Sequence, residues 1–104
     1  MLYKIEYYVP ESHHELVKAA LFAAGAGKVG QYDHCCWQTL GNGQYRPLPG
    51  SKPFQGDEGT IETAPEYKVE MVCEELCLQT VIDALLRTHP YDEVAYFVMR
   101  FDGP

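Results

Sequence analysis

Along the first segment of the chain, Tyr3, Ile5, Tyr7 and Val9 alternate with Lys4 and Glu6, which predicts a strand over Leu2–Val9 ended by Pro10. Ser12-His13-His14-Glu15 has the spacing of a capping box, with Ser12 as N-cap and Glu15 reaching back to its N–H. Leu16, Ala19, Ala20 and Ala23 then recur at helical spacing, and Val17, Leu21 and Ala24 widen the stripe. So many alanines predict close packing against a sheet. Gly25 or Gly27 suits the left-handed residue that closes this helix. Gln31–Leu40 reads as a second strand, Gly41-Asn42-Gly43 as a hairpin turn and Gln44-Tyr45-Arg46-Pro47 as the return. Leu48–Gly59 is rich in Gly and Pro and reads as a loop. Thr60–Thr63 predicts a short strand, and Tyr67–Cys73 another with Tyr67, Val69, Met71 and Cys73 on one face. Glu74 and Glu75 stand where a helix N-terminus favours anions. Leu78, Val81, Ile82, Leu85 and Leu86 mark one face of a second helix, which Thr88-His89-Pro90 stops before a last strand over Val94–Phe101.

This order, with its hairpin excursion, predicts an α+β fold. The expected plan is ferredoxin-like, β-α-β-β-α-β, with two helices on one face of an antiparallel sheet and one domain over residues 1–104. Eight Tyr and four Phe supply large side chains for its core. Eight basic against fifteen acidic residues argue against a nucleic-acid partner. No apolar run approaches the roughly 20 residues that span a bilayer, so no membrane role is expected. The strand-like, charged start Met1-Leu2-Tyr3-Lys4-Ile5-Glu6 predicts no signal peptide and a cytoplasmic location. There Cys35, Cys36, Cys73 and Cys77 are expected as free, buried thiols rather than disulfides.

Gly25-Ala26-Gly27-Lys28-Val29-Gly30 matches G-x-G-x-x-G, but a helix precedes it and a strand follows, the reverse of what a pyrophosphate needs. We read it as a helix end and turn. In the next residues a regular strand puts His34 and Cys36 on one face, with Cys35 on the other. Thiol and imidazole together suit a soft or divalent transition metal such as Cu or Zn, yet two ligands fall short of a structural zinc site. Core packing is the favoured role for the cysteines, with His34, Cys36 and His89 as candidate metal ligands. His13 and His14, in the first helical turn, read as surface residues. His89-Pro90-Tyr91-Asp92-Glu93 places an imidazole and two carboxylates on one tight turn, either a solvated turn or a functional rim. No nucleophile beside a base and no H-E-x-x-H can be recognised, so no catalytic residue is named.

The residues "GAGKVGQYDHC", "PFQGDEGTIE" and above all "HPYDEVAY" resemble the domain inserted into YqfO-type members of the NIF-three-like dinuclear-metal-centre family, from about Tyr7 to Met99. The resemblance implies a fold similar to the trimeric CutA and PII proteins. It gives no position here for the family's two metal ions or its suspected hydrolase chemistry, which belong to a large flanking domain outside this sequence. In the larger proteins the insert is implied to serve assembly and as a lid.

The leading expectation is a small cytoplasmic homo-oligomer, a trimer, acting as a binding or regulatory module for a small-molecule or protein partner. Candidate ligand-binding residues are His34, Trp37, Tyr45, His89, Tyr91 and Glu93, with His34, Trp37 and Tyr45 bordering clefts between subunits. The second and fourth strands lie far apart in this plan, so His34 and the His89 turn would meet only across an interface. The alternatives are a metal-binding or metal-tolerance protein using His34 and Cys36, and a metal-dependent hydrolase. No cofactor is called for with certainty.

Overall fold

Residues 2–103 are described by the structure, a computed structural model. Met1, the first residue of the segment read as free of a signal peptide, and Pro104 lie outside it. The elements are β1 (Leu2–Pro10), α1 (His14–Ala23), β2 (Trp37–Tyr45), β3 (Glu62–Glu74), α2 (Glu75–Thr88) and β4 (Tyr96–Phe101), with a 3₁₀ turn over Glu11–His13. The strands form one sheet in the order β2-β3-β1-β4, each neighbour antiparallel. This is the expected ferredoxin-like plan.

Alternation along β1 and β3 divides the sheet into two faces. Ile5, Tyr7 and Val9 pair with Met71, Val69 and Tyr67, and Val98 and Tyr96 extend two of these rows onto β4. On this face Ile5, Tyr7, Val9, Val69, Met71 and Cys73 form one buried cluster with Val17 and Leu21 of α1 and Val81 and Leu85 of α2. Both helices therefore cover the same side. The other face carries Lys4, Glu6, Lys68 and Glu70 at its centre, Trp37 at one edge, and Phe97 and Met99 at the other. Lys4 Nζ lies 2.6 Å from Glu70 and 3.2 Å from Glu6. Those hydrogen bonds raise the Lys4 pKa and, through Lys4, lower that of Glu70.

Several local expectations are corrected. The hairpin does not turn at Asn42: β2 runs straight through it, pairing Asn42 with Pro65 and Gly43 with Ala64. Neither Gly41 nor Gly43 takes the positive φ that a tight Asn-Gly hairpin turn requires; both lie in extended backbone. The true connection is the loop of residues 46–61, and the two predicted strands at Thr60–Thr63 and Tyr67–Cys73 are one, β3. Residues 31–36 are not a strand either. Val29 and Tyr32 bridge each other across a turn and His34 has φ +54°, so His34 and Cys36 share no strand face.

The capping box does not form. His13 is the N-cap of α1 without a side-chain bond, Ser12 Oγ meets the His13 ring instead, and Glu15 pairs with Lys18. The helix is also rotated from the predicted stripe. His14, Val17 and Leu21 are buried, whereas Leu16 is 58% exposed. Val and Leu withdraw more apolar area than the alanines of the rival stripe, so they face the sheet. His14 is thus no surface residue: its ring stacks on Tyr67 at 3.9 Å and its Nε2 lies 2.9 Å from Gln38 Oε1. The end of α1 follows expectation. Gly25 N–H donates to Phe22 O and Ala26 N–H to Leu21 O, a Schellman closure with Gly25 at φ +111°. All four cysteines are free, but only Cys73 is buried, and burial pushes its thiol pKa up to about 11.

Candidate functional site

Where β1 ends and the 46–61 loop folds back, the molecule carries a cleft of about 630 Å³, within the size range of small-molecule sites. Three segments build it. The end of β2 contributes Tyr45, the loop contributes Arg46 and Phe54, and the turn after α2 contributes Tyr91, Asp92 and Glu93. Tyr8, Glu66 and Phe97 form the sheet side.

Hydrogen bonds from main chain and side chains hold these walls in place. Tyr45 donates its hydroxyl to Gln55 O at 2.6 Å, tying the strand end to the loop. The loop closes on itself through Gly59 N–H to Pro47 O and Gly50 N–H to Glu58. Lys52 N–H donates to Asp92 Oδ2 at 3.0 Å, which fastens the loop to the His89 turn. Asp92 Oδ1 accepts from Glu93 N–H at 3.1 Å. Tyr91 donates to Glu66 Oε2 at 2.7 Å, and the Glu66 carboxylate occupies the space that a side chain at residue 43 would fill. Glycine there lets β2 and β3 pair with this carboxylate between them.

His89 lies beneath the cleft as its support. It is buried, its Nε2 donates to Tyr8 O at 2.7 Å and its Nδ1 accepts from Tyr91 N–H at 3.1 Å. That pattern requires the neutral ring with the proton on Nε2. Burial lowers its pKa, outweighing the opposing pull of the Tyr8 carbonyl and Glu66. Burial, and then the Glu66 carboxylate, raises the pKa of Tyr91; burial followed by Glu62 and Glu66 raises that of Tyr45. Both hydroxyls keep their protons at neutral pH.

Of the residues named from sequence, Tyr45, Tyr91 and Glu93 come together here, with His89 behind them. Although β2 and β4 are opposite edges of the sheet, the loop brings Tyr45 to 6.1 Å from the Tyr91 ring within one chain. His34 is elsewhere, against Phe22 of α1 at 4.8 Å and paired with Asp33 at 3.2 Å. Trp37 stands on the open sheet face beside Cys36. Cys36 packs against the core and burial raises its thiol pKa. Among the described residues no group of three or more His, Cys, Asp or Glu side chains could hold a metal ion, and both His89 nitrogens are already engaged. Sequence reasoning missed Arg46, Phe54 and Glu66. Glu66 falls in the gap between two predicted strands, and only the continuous pairing of β2 with β3 reveals its place.

No protein-family model matches the chain. Over 95 residues it is 44% identical to the GTP cyclohydrolase 1 type 2 homolog of Bacillus subtilis, an alignment covering 91% of this chain and 26% of that protein. In structure it is similar to a Bacillus cereus protein related to NIF3, with TM-score 0.83 and 35% identity over 98% of this chain and 26% of the other. The periplasmic divalent cation tolerance protein CutA from Archaeoglobus fulgidus shares the fold, with TM-score 0.70 and 16% identity over 100% of this chain and 87% of the other. The resemblance to NIF-three-like proteins and to the CutA fold is therefore real. The chain spans about a quarter of the length of the relatives it matches.

Proposed function

We propose that this chain is an oligomeric binding module: the open sheet face joins copies of the chain, and the cleft beside Tyr91 takes a small ligand. One observation carries the first half. On the face without helices Trp37 is 68% exposed, Phe97 54% and Met99 41%. The two apolar margins flank an ion-paired centre at opposite edges of the sheet, so the Trp37 margin of one copy suits the Phe97–Met99 margin of the next. Head-to-tail contacts close into a ring when the rotation between copies closes, and we read such a ring here, a trimer, in line with the CutA-like fold. Both sheet edges, β2 and β4, also lie open to pairing or covering by another chain.

The reading is of binding or regulation rather than catalysis. The cyclohydrolase name belongs to relatives three-quarters of whose length has no counterpart in the match, and no activity is carried from it. A cytoplasmic setting fits the four free cysteines, and no helix among the described residues is long and apolar enough to cross a membrane. Sedimentation at micromolar concentration tests the assembly: the wild type is expected as a trimer, and Trp37→Glu with Met99→Asp as a folded monomer. A monomeric wild type would remove the oligomer reading.

A further inference from the structure

We propose that the cleft takes a small organic cation of the methylated-ammonium class. This rests on the cleft being the binding site, as read above, and adds the chemistry of what enters it. The wall is aromatic. The Tyr91 ring centroid lies 6.1 Å from Tyr45 and 6.2 Å from Phe54, with planes inclined by 55° and 48°. His13 braces Phe54 edge-on from a ring-centre distance of 5.3 Å. Aromatic faces carry the negative side of the ring quadrupole and attract a cation lying over them.

The charge around the wall points the same way. Glu66, Asp92 and Glu93 line the cleft against the single guanidinium of Arg46. None of the three takes part in an ion pair among the described residues. Instead backbone N–H groups hold both oxygens of Asp92, and the Tyr91 hydroxyl holds one oxygen of Glu66. Such donors fix the position of each carboxylate without the cancelling charge an ion pair would bring. The chain's net charge of −7 adds a long-range pull on cations.

Methylation follows from the make-up of the wall. The rings of Tyr45, Phe54 and Tyr91 carry no hydrogen-bond acceptor on their faces, so a bare ammonium turned toward them would lose water on that side without replacement. An N-methylated head gives up less hydration and covers the rings with apolar surface. A divalent ion is disfavoured here, because no cluster of three ligating side chains forms among the described residues.

The test is an amide NMR titration of the full chain with three probes: choline, its neutral isostere 3,3-dimethyl-1-butanol, and inorganic phosphate. Choline should shift the Tyr45, Tyr91 and Glu93 amides, with the alcohol binding about tenfold more weakly, the worth of one desolvated cation–ring contact. Glu93→Gln, at an exposed position, should weaken choline about threefold while leaving the other amides unmoved. Equal binding of alcohol and choline would overturn the cation class yet leave the cleft as an apolar binding site. Phosphate moving the cleft amides in place of choline would overturn it in favour of Arg46. If no probe moves a cleft amide, both this inference and the binding-site reading fall.

Discussion

On its helix side the sheet is finished: Ile5, Tyr7, Val9 and Val69 are withdrawn from water by Val17, Leu21, Val81 and Leu85. On its other side the same strands present an ion-paired centre between two apolar margins, Trp37 and Phe97 with Met99, that stay largely exposed among the described residues. One set of strands therefore makes a core with its odd-numbered β1 residues and a surface with its even-numbered ones. The lesson is that a period of two assigns core packing to one face and leaves the other, on the reading proposed above, to association. Changes on the first face should act on folding, and changes on the second on assembly.

The largest effect should come on the finished side, from a contrast between adjacent leucines of α2. Leu85 is fully buried and Leu86 is 47% exposed. Leu85→Ala is expected to cost about 2–5 kcal/mol and Leu86→Ala under about 1 kcal/mol, measured by urea denaturation. Next comes the helix closure. Gly25 sits at φ +111°, and an added Cβ would lie 2.8 Å from Cys77 Sγ. Gly25→Ala should cost about 1–3 kcal/mol by the same measurement.

Acid should loosen the cleft end through His89. Its folded pKa lies below the ordinary 6.5, so the unfolded chain takes up that proton first. The contribution is intact above about pH 6.5 and is lost as pH falls through the lowered folded value, with a slope of at most about 1.4 kcal/mol per pH unit. Protonation of Nδ1 also removes the acceptor for Tyr91 N–H. His89→Gln should flatten this limb in denaturation series run across pH. Smallest is Tyr91→Phe, which removes the hydroxyl bond to half-buried Glu66 and should cost about 1 kcal/mol.

The finished face could be read from the chain and the rest only in part. β1, the Tyr67–Cys73 part of β3 and α2 apart from the exposed Leu86 follow their periods because one side of each is buried, and burial is what imposes a pattern. β2 is almost wholly exposed, so its two glycines read as a turn when they are strand residues, one of them making room for Glu66. His14 read as solvated because no local signal announces a stacking partner as distant in sequence as Tyr67. Tyr45, Tyr91 and Glu93 were visible as chemistry. Their meeting was not, since it depends on the 46–61 loop folding back and on a single backbone bond from Lys52 to Asp92.

Trp37 is the only tryptophan in the chain and stands on the open face, so its emission reports on that face alone. Fluorescence followed through a dilution series from high to low micromolar concentration tests most directly whether another copy completes this face. The expected result is blue-shifted emission wherever the scattering mass is that of the trimer, moving red only where that mass falls, with Met99→Asp red at every concentration. Water-exposed emission throughout, alongside a constant monomer mass, would contradict the account.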